Sequence, residues 1–319
     1  MAFHTKSALS ETQPVFDIGQ IIAELRNVRR EWRQSQNRSL EPGGRELPSR
    51  ETLSEIVSDL RGVLFPMRLG PPELRQEVED FYVGVTLDKA LHALASQVRL
   101  ELLHSARHAH LSPRDVDVRT LHIVHEFAQS LPGIRRLLDS DVLAAYHGDP
   151  AAHSVDEVLL CYPGVAAIIH HRLAHTLYEL GATMLARLIA ELAHSETSID
   201  IHPGATIGSG FFIDHGTGVV IGETATIGER VRIYQAVTLG AKRFPTDGNG
   251  HLKKGLPRHP RIEDDVVIYA GATVLGRVTI GSGATIGGNL WITHDVPPGA
   301  NLSQARSQDH NAALAAVAA

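Results

Sequence analysis

The chain has 319 residues, 43% of them apolar and only 5% aromatic, with a formal net charge of −6. That length buries a sizeable core and suits two domains of about 150 residues each. The single cysteine, Cys161, excludes an intrachain disulfide framework and a cysteine-rich zinc site. The acidic balance excludes the usual nucleic-acid protein. Residues 1–30 include Lys6, Glu11, Asp17, Arg26, Arg29 and Arg30 and hold no signal-peptide apolar stretch. No window reaches the roughly 18 apolar residues of a membrane span, so the expected setting is a reducing cytoplasm.

Residues 1–197 read as helical. Candidate helices are Val15–Gln34, Ser49–Leu64, Pro72–Phe81, Leu87–His108, Pro113–Gln129, Ile134–Tyr146, Val155–Leu160, Val165–Leu180 and Ala182–His194. Leu121, Val124 and Phe127 fall near helical spacing. Ser49 is a plausible cap, and Ser112-Pro113 reads as a cap followed by proline at the first helical position. Pro132 and Gly181 punctuate helix ends. The Pro- and Gly-rich stretch Ser39–Pro48 reads as a loop.

The composition then changes. Ten of the 28 glycines lie in residues 1–197 and eighteen in the remaining 122. An aliphatic residue recurs every six positions: Ile201, Ile207, Ile213, then Ile221, Ile227, Ile233, Leu239, then Ile262, Ile268, Val274, Ile280, Ile286 and Ile292. Small residues sit four after many of these anchors, as at Ala205, Ala225, Val231, Ala272 and Ala284. A period of six fits neither a helix nor a simple amphipathic strand. It matches the hexapeptide β-helix repeat, in which three short strands make one coil of a triangular prism. Each anchor then points inward, on coils about 4.8 Å apart, and glycine suits the tight corners. An accidental glycine-rich region would not keep thirteen anchors in phase. The fold class is therefore α+β: a helical domain over 1–197, a parallel β-helix over 198–300 with an inserted loop at 240–261, and a tail at 301–319. In known hexapeptide proteins the prism is left-handed and usually trimeric.

Insertions in such repeats map to loops and often to the binding face. The first break surrounds Asp214-His215-Gly216-Thr217-Gly218, and the second spans Gly240–Arg261, ending in Arg258-His259-Pro260. The repeat places Asp200 and His215 on the same side of adjacent coils. A carboxylate beside an imidazole orients its tautomer, and such a histidine suits a general base for a hydroxyl. An ordinary surface histidine at a coil corner is the other reading of the same position.

Asp200-Ile201-His202-Pro203-Gly204-Ala205, the Asp214–Gly218 run, Gly222-Glu223-Thr224-Ala225, Gln235–Gly240 and Arg258-His259-Pro260 occur in an order that resembles the serine O-acetyltransferases of bacteria and plants. Asp149-Pro150-Ala151 and Arg172-Leu173-Ala174-His175 fit that family's helical domain, so the resemblance covers roughly Ala144 to Pro298. It implies acetyl transfer from acetyl-CoA to the hydroxyl of L-serine, the first step of cysteine biosynthesis, without an acyl-enzyme and without a metal. His215 would be the general base and Asp200 its carboxylate partner, with His259 beside the reacting centre. Arg258 would grip the serine carboxylate, and Asp149 and Asp214 its ammonium. Ala241, Ala270 and Gly288 would contact CoA through backbone left accessible by small side chains. The helical domain would serve assembly and supply Asp149.

The same resemblance implies a homo-oligomer, a trimer or two trimers paired, with sites between neighbouring subunits. L-cysteine is the implied feedback inhibitor. The family docks a C-terminal isoleucine into the sulfhydrylase that makes cysteine; this chain ends Ala315-Ala316-Val317-Ala318-Ala319, which counts against that complex. After Val296-Pro297-Pro298-Gly299, the Asn301-Leu302-Ser303-Gln304 run departs from the family's coil exit. The insertion carries Lys242, Arg243, Lys253, Lys254, Arg258 and Arg261 against one acid, Asp247, and reads either as attracting CoA phosphates or as a solvated loop.

Nineteen histidines invite a metal reading. His171 and His175 share a helix face, as do His104 with His108, and a helix-face or packing role is the simpler reading for each pair; His122 with His125 is read the same way. Some hexapeptide β-helices hydrate carbon dioxide with zinc held by three histidines, which His202, His215, His259 and His294 would have to supply. A different small hydroxyl acceptor and an inactive scaffold are the remaining alternatives.

Overall fold

A computed structural model describes residues 16–36, 47–109, 112–243, 245–248 and 250–303. The expectations for the C-terminal Ala315–Ala319 and for most of the Ser39–Pro48 loop fall outside these residues. Packing divides the chain into two compact units, residues 1–45 and 46–319. In the first, α1 (Ile18–Ser35) starts at Asp17, whose carboxylate accepts the Gln20 N–H.

The second unit begins with α2 (Arg50–Leu64), α3 (Pro66–Leu69) and a 3₁₀ turn at Gln76–Val78. It continues with α4 (Glu79–Ala109), α5 (Pro113–Gly148), α6 (Val155–Cys161), α7 (Pro163–Glu179) and α8 (Thr183–Thr197). Ser49 and Ser112 cap α2 and α5 as their sequence context predicts, Ser112 forming a reciprocal capping box with Asp115. The helix expected at Pro72–Phe81 is instead the 3₁₀ turn followed by the start of α4. The residue before a proline is pushed out of helical space, and Pro71-Pro72 does this twice.

Pro132 does not end a helix. It lies inside α5, which joins two expected helices. An internal proline costs about 3 kcal/mol or more, but Phe127, Leu131, Ile134 and Leu138 on either side are all buried. Tertiary burial of that stripe outweighs the local penalty. Leu121 stands outside the stripe and is exposed, while Ile123 takes the core position.

Helix α8 ends at Ser198, which adopts a left-handed conformation with φ 60°. The chain then enters a run of short parallel strands, fourteen among the described residues, in three sheets wound as a left-handed β-helix. One face stacks β1 (Asp200–Ile201), β4 (Val220–Ile221), β7 (Thr238–Gly240), β10 (Thr273–Leu275) and β13 (Trp291–Ile292). The second stacks β2 (Thr206–Ile207), β5 (Thr226–Ile227), β8 (Arg261–Ile262) and β11 (Thr279–Ile280). The third stacks β3 (Phe212–Ile213), β6 (Arg232–Ile233), β9 (Val267–Ile268), β12 (Thr285–Ile286) and β14 (Asn301–Leu302).

The register pairs anchor with anchor. Ile201 aligns with Ile221, Leu239, Val274 and Ile292; Ile207 with Ile227, Ile262 and Ile280; Ile213 with Ile233, Ile268 and Ile286. All thirteen are buried, as are the small residues four positions on. Non-glycine residues with positive φ mark the corners. Arg230 and Asp265 lie on the edge between the second and third faces, Ser198, Ala236 and Asn289 on the edge between the third and first.

The helices meet the first coil through a buried ion pair. Arg172 of α7 donates to the Asp141 carboxylate of α5 at 2.6 and 2.8 Å, and to the carbonyls of Ile207 and Gly208 at 3.2 and 2.8 Å. Asp141 also accepts the Phe211 N–H at 2.9 Å, and Ser140 Oγ accepts that of Gly210 at 3.0 Å. Removing one partner of such a pair strands a buried charge, at about 3–5 kcal/mol. Asp141→Ala is therefore expected to lower the denaturation midpoint by that amount of stability. A chemical-denaturation curve unchanged from wild type would contradict this.

Candidate active site

The candidate residues collect on two edges of the prism. His215 lies where the third face turns into the first, between β3 and β4, on the two-residue excess that breaks the six-residue beat. Its φ of 57° is left-handed, a conformation costly for a residue with a side chain. The ring stands in solvent, with Nε2 3.8 Å from Asp214 Oδ1. The corner rests on the coil below: the Gly218 N–H donates to the Ser198 carbonyl at 2.9 Å. A side chain at Gly216 would strike Ile199 at 2.4 Å, so glycine is required beside the histidine.

Asp149 faces this edge from the end of α5. Tyr162 donates its hydroxyl to Asp149 Oδ2 at 2.5 Å, and the Ala151 N–H donates to Oδ1 at 2.8 Å. Those bonds hold the Asp149 carboxyl below its usual range, with His215 and Arg232 adding weaker attraction. The same hydrogen bond to Asp149, with burial, pushes the Tyr162 phenol up to about 12. Asp149 is thus a fixed anion near His215, suited to a ligand ammonium. The carboxylate of Asp200 lies with Glu191 and His194, their ligand atoms within 4.8 Å of one another. Among the described residues no hydrogen bond joins Asp200 to His215.

The other edge lies between the first and second faces, where the long loop inserts between β7 and β8. His259 is 6% exposed. Its Nδ1 accepts from the Thr224 N–H at 3.0 Å and lies 2.9 Å from Thr224 Oγ1. That hydroxyl oxygen accepts the N–H groups of Arg258 and His259 at 2.9 and 3.1 Å, leaving its own proton for Nδ1. With Nδ1 an acceptor, the network assigns the ring proton to Nε2. Burial and then Arg258 push the His259 imidazole down to about 4. The result is a neutral histidine with one N–H donor. The ring lies over Gly222, where an added side chain would meet it at 2.0 Å.

Arg258 pairs with Glu223 at 2.6 Å, and Tyr178 donates to the same carboxylate at 3.1 Å. Arg277 donates to the carbonyls of Thr224 and His259 at 2.7 and 3.1 Å. His202 shares this edge and accepts the Gly204 N–H on Nδ1 at 3.0 Å. Burial and then Arg187 lower it to about 4.

The small residues divide in the same way. Asn289 donates to the Ala270 carbonyl at 2.9 Å, and a Cβ at Gly288 would lie 3.0 Å from that oxygen, so Ala270 and Gly288 stack on the His215 edge. Ala241 follows β7 on the His259 edge. The structure therefore groups His215, Asp214, Asp149, Ala270 and Gly288 apart from His259, Arg258 and Ala241. Sequence reasoning missed Tyr162, Tyr178 and Arg277, which carry no local pattern. It quoted Glu223 and Thr224 within a motif without a role.

Of the paired helical histidines, His171 and His175 pack, whereas His122 and His125 stand exposed on α5. His171 is buried, with its ring stacked on His175 at 5.6 Å, and His175 Nδ1 bonds the Pro203 carbonyl at 2.8 Å. Of the four prism histidines, His202 and His259 share one edge while His215 lies on another, so these three do not converge within one chain. Burial also keeps His171 neutral.

The neutral histidines predict an acid response. A folded-state pKa depressed from about 6.5 to about 4, as at His202 and His259, means that the unfolded chain binds more protons in that window. Stability is full above about 6.5 and falls as pH drops towards 4, by up to about 1.4 kcal/mol per pH unit for each such histidine. Urea denaturation at pH 7 and pH 5 checks this; equal stabilities would refute it.

Residues 259–294 match the model for bacterial transferase hexapeptide (six repeats). A protein of Synechococcus elongatus named plasmid serine acetyltransferase is 59% identical over 268 residues, 83% of this chain and 84% of that one. The structure of Entamoeba histolytica serine acetyltransferase 1 in complex with L-cysteine is 40% identical with a TM-score of 0.68, covering 78% of this chain and 86% of that one. Neisseria gonorrhoeae serine acetyltransferase in complex with serine is 32% identical with a TM-score of 0.51, over 78% and 94% of the two chains. An identity sustained over most of both chains, on the same sequence of helices and hexapeptide coils, leaves one conclusion: the chain belongs to the serine acetyltransferase family.

Proposed function

We propose that this protein transfers the acetyl group of acetyl-CoA to the hydroxyl of L-serine, releasing O-acetyl-L-serine and CoA, as the first step of cysteine biosynthesis. The observation that carries the reading is the exposed His215 held beside the anions Asp214 and Asp149. A free amino acid brings an ammonium to those carboxylates, which sets its side-chain hydroxyl near the imidazole. His215 takes the hydroxyl proton as the oxygen attacks the thioester carbon. The tetrahedral intermediate collapses, breaking the C–S bond, and the imidazolium returns the proton to the leaving thiolate. Asp200 would turn its carboxylate to the imidazolium when the site is assembled. No acyl-enzyme is needed, and Cys161, exposed in α6, has no part.

Arg258 and the Nε2–H of His259 supply donors for the serine carboxylate, matching its planar acceptors. Ala241, Ala270 and Gly288 leave backbone open to the pantetheine arm. The division of these groups between two edges supports a cyclic homo-oligomer, in which one edge of each prism meets a different edge of the next. A trimer fits the three-sided prism, and the helical domain, residues 1–197, is the part available for pairing two trimers. L-cysteine, with the same ammonium and carboxylate, would occupy the serine position as a feedback inhibitor. Among the described residues no helix is long and apolar enough to cross a membrane, and the cytoplasm belongs to the same proposal. Serine-dependent release of CoA thiol, compared between wild type and His215→Ala, tests the reading.

A further inference from the structure

We propose that α1 is one strand of a parallel three-helix coiled coil, completed by the same helix from two further copies of this chain. The proposal rests on the trimeric assembly proposed above. Helix α1 lies in the first packing unit, and none of its residues is buried. Yet it carries a run of large apolar side chains: Ile18, Ile21, Leu25, Val28 and Trp32 are 44–63% exposed. Most helix stability in proteins comes from packing an apolar face rather than from intrinsic preference. Among the described residues of one chain, α1 has no such cover.

The spacing of the stripe points to its partner. Successive intervals of 3, 4, 3 and 4 residues are the seam of a coiled coil. The a positions are Ile18, Leu25 and Trp32, and the d positions are Ile21, Val28 and Ser35. The flanks carry opposite charge, with Glu24 and Glu31 at g and Arg29 at e. In a parallel pair, g of one helix meets e five residues further along its neighbour. Glu24 of one copy then meets Arg29 of the next, and Glu31 meets Gln36. In an antiparallel pair g faces g, which would set glutamate against glutamate. Charge therefore selects parallel copies of this same helix. A membrane surface would call for basic residues along both flanks, and the glutamates occupy one of them.

The seam also selects the number of strands. Isoleucine at both a and d, or leucine at a with a β-branched residue at d, favours three or four strands over two. Ile18 with Ile21 meets the first condition and Leu25 with Val28 the second. Three is the number that a trimer of three-sided prisms supplies, and a parallel bundle shares its cyclic symmetry. With 18 residues, α1 spans about two and a half heptads, fewer than the three or four that mark a coiled coil on sequence alone. Assembly of the prisms makes up the difference. Residues 37–46 span at most about 35 Å and hold the other copies at an effective concentration of the order of mM.

The test is disulfide formation in the full chain, with Cys161→Ser removing the native thiol. Ile21→Cys, at d, is expected to link chains on mild oxidation at least about tenfold faster than Ala23→Cys, at f on the outer face. In an antiparallel bundle Ile21 would instead face Trp32, about 16 Å along the helix from its own copy. Linking should stop near two-thirds of the chains, because a disulfide uses two of the three strands. Adding Leu25→Asp to the Ile21→Cys chain should return its rate to that of Ala23→Cys, with the mass in light scattering still that of a trimer. Equal rates at the two positions, or a rate that Leu25→Asp leaves unchanged, would overturn the proposal, and linking of every chain would overturn the count of three. Equal rates together with sedimentation of the wild type on phosphatidylglycerol vesicles would assign the stripe to a membrane surface instead. If the wild type is not a trimer in light scattering, the assembly proposed above fails, and with it the three-stranded bundle. The ratio of rates then decides pairing of α1 with its own copy alone.

Discussion

His215→Ala is expected to lower kcat for serine-dependent release of CoA thiol by about 10²–10⁴-fold, the usual contribution of a general base. A serine hydroxyl is a poor nucleophile at neutral pH, and the proton it loses needs an acceptor at the moment of attack. His259 and His202 lie across a prism face from the point where Asp149 and Asp214 would bring that hydroxyl. The substitution should leave KM for serine within a few-fold, because the ammonium and carboxylate contacts remain. It should also leave the denaturation midpoint unchanged, since the side chain is 72% exposed. Full activity in the variant would remove His215 from the chemistry. A loss of activity matched by a loss of stability would reassign it to the corner's structure.

His215→Ala and His259→Ala, each inactive or nearly so alone, are expected to restore activity when co-expressed. Each prism side takes six residues, so the two histidine edges stand roughly 15–20 Å apart in one chain. No side chain spans that gap, and a reaction using both edges must draw them from different subunits. In a ring where each site takes His215 from one subunit and His259 from the next, random mixing leaves about a quarter of the sites with both. Mixed subunits should therefore recover about a quarter of wild-type activity, and mixing after assembly should recover none until the oligomers exchange. No recovery on co-expression would place both histidines in one subunit's site, or remove one from function.

The prism was legible because its rule is periodic. A thirteen-fold repeat of aliphatic residues is satisfied only by stacking, so anchors, small residues and breaks could be read without knowing any contact. The helical region obeys no comparable rule. Pro132 continues a helix because residues on both sides of it are buried, which no local preference announces. Asp141 meets Arg172 31 positions away, and the motif containing Arg172 gave no hint of its partner. At the site, the spacing named His215 and His259 but not the division between edges. That depends on how each insertion is spent, two residues at one corner and a loop at another. Tyr162 and Thr224 act on other side chains rather than on a ligand, so they left no chemical signature.

The Arg172–Asp141 pair has one more consequence. A stack of parallel coils ends in strands whose outer polar groups have no neighbour, and such an end invites another stack to continue it. Arg172, Asp141, Ser140 and His175 occupy the outward carbonyls and N–H groups of the first coil at Pro203, Ile207, Gly208, Gly210 and Phe211. The helices thus act as a terminator. They close the first coil, so that another stack cannot continue the prism end to end from that side.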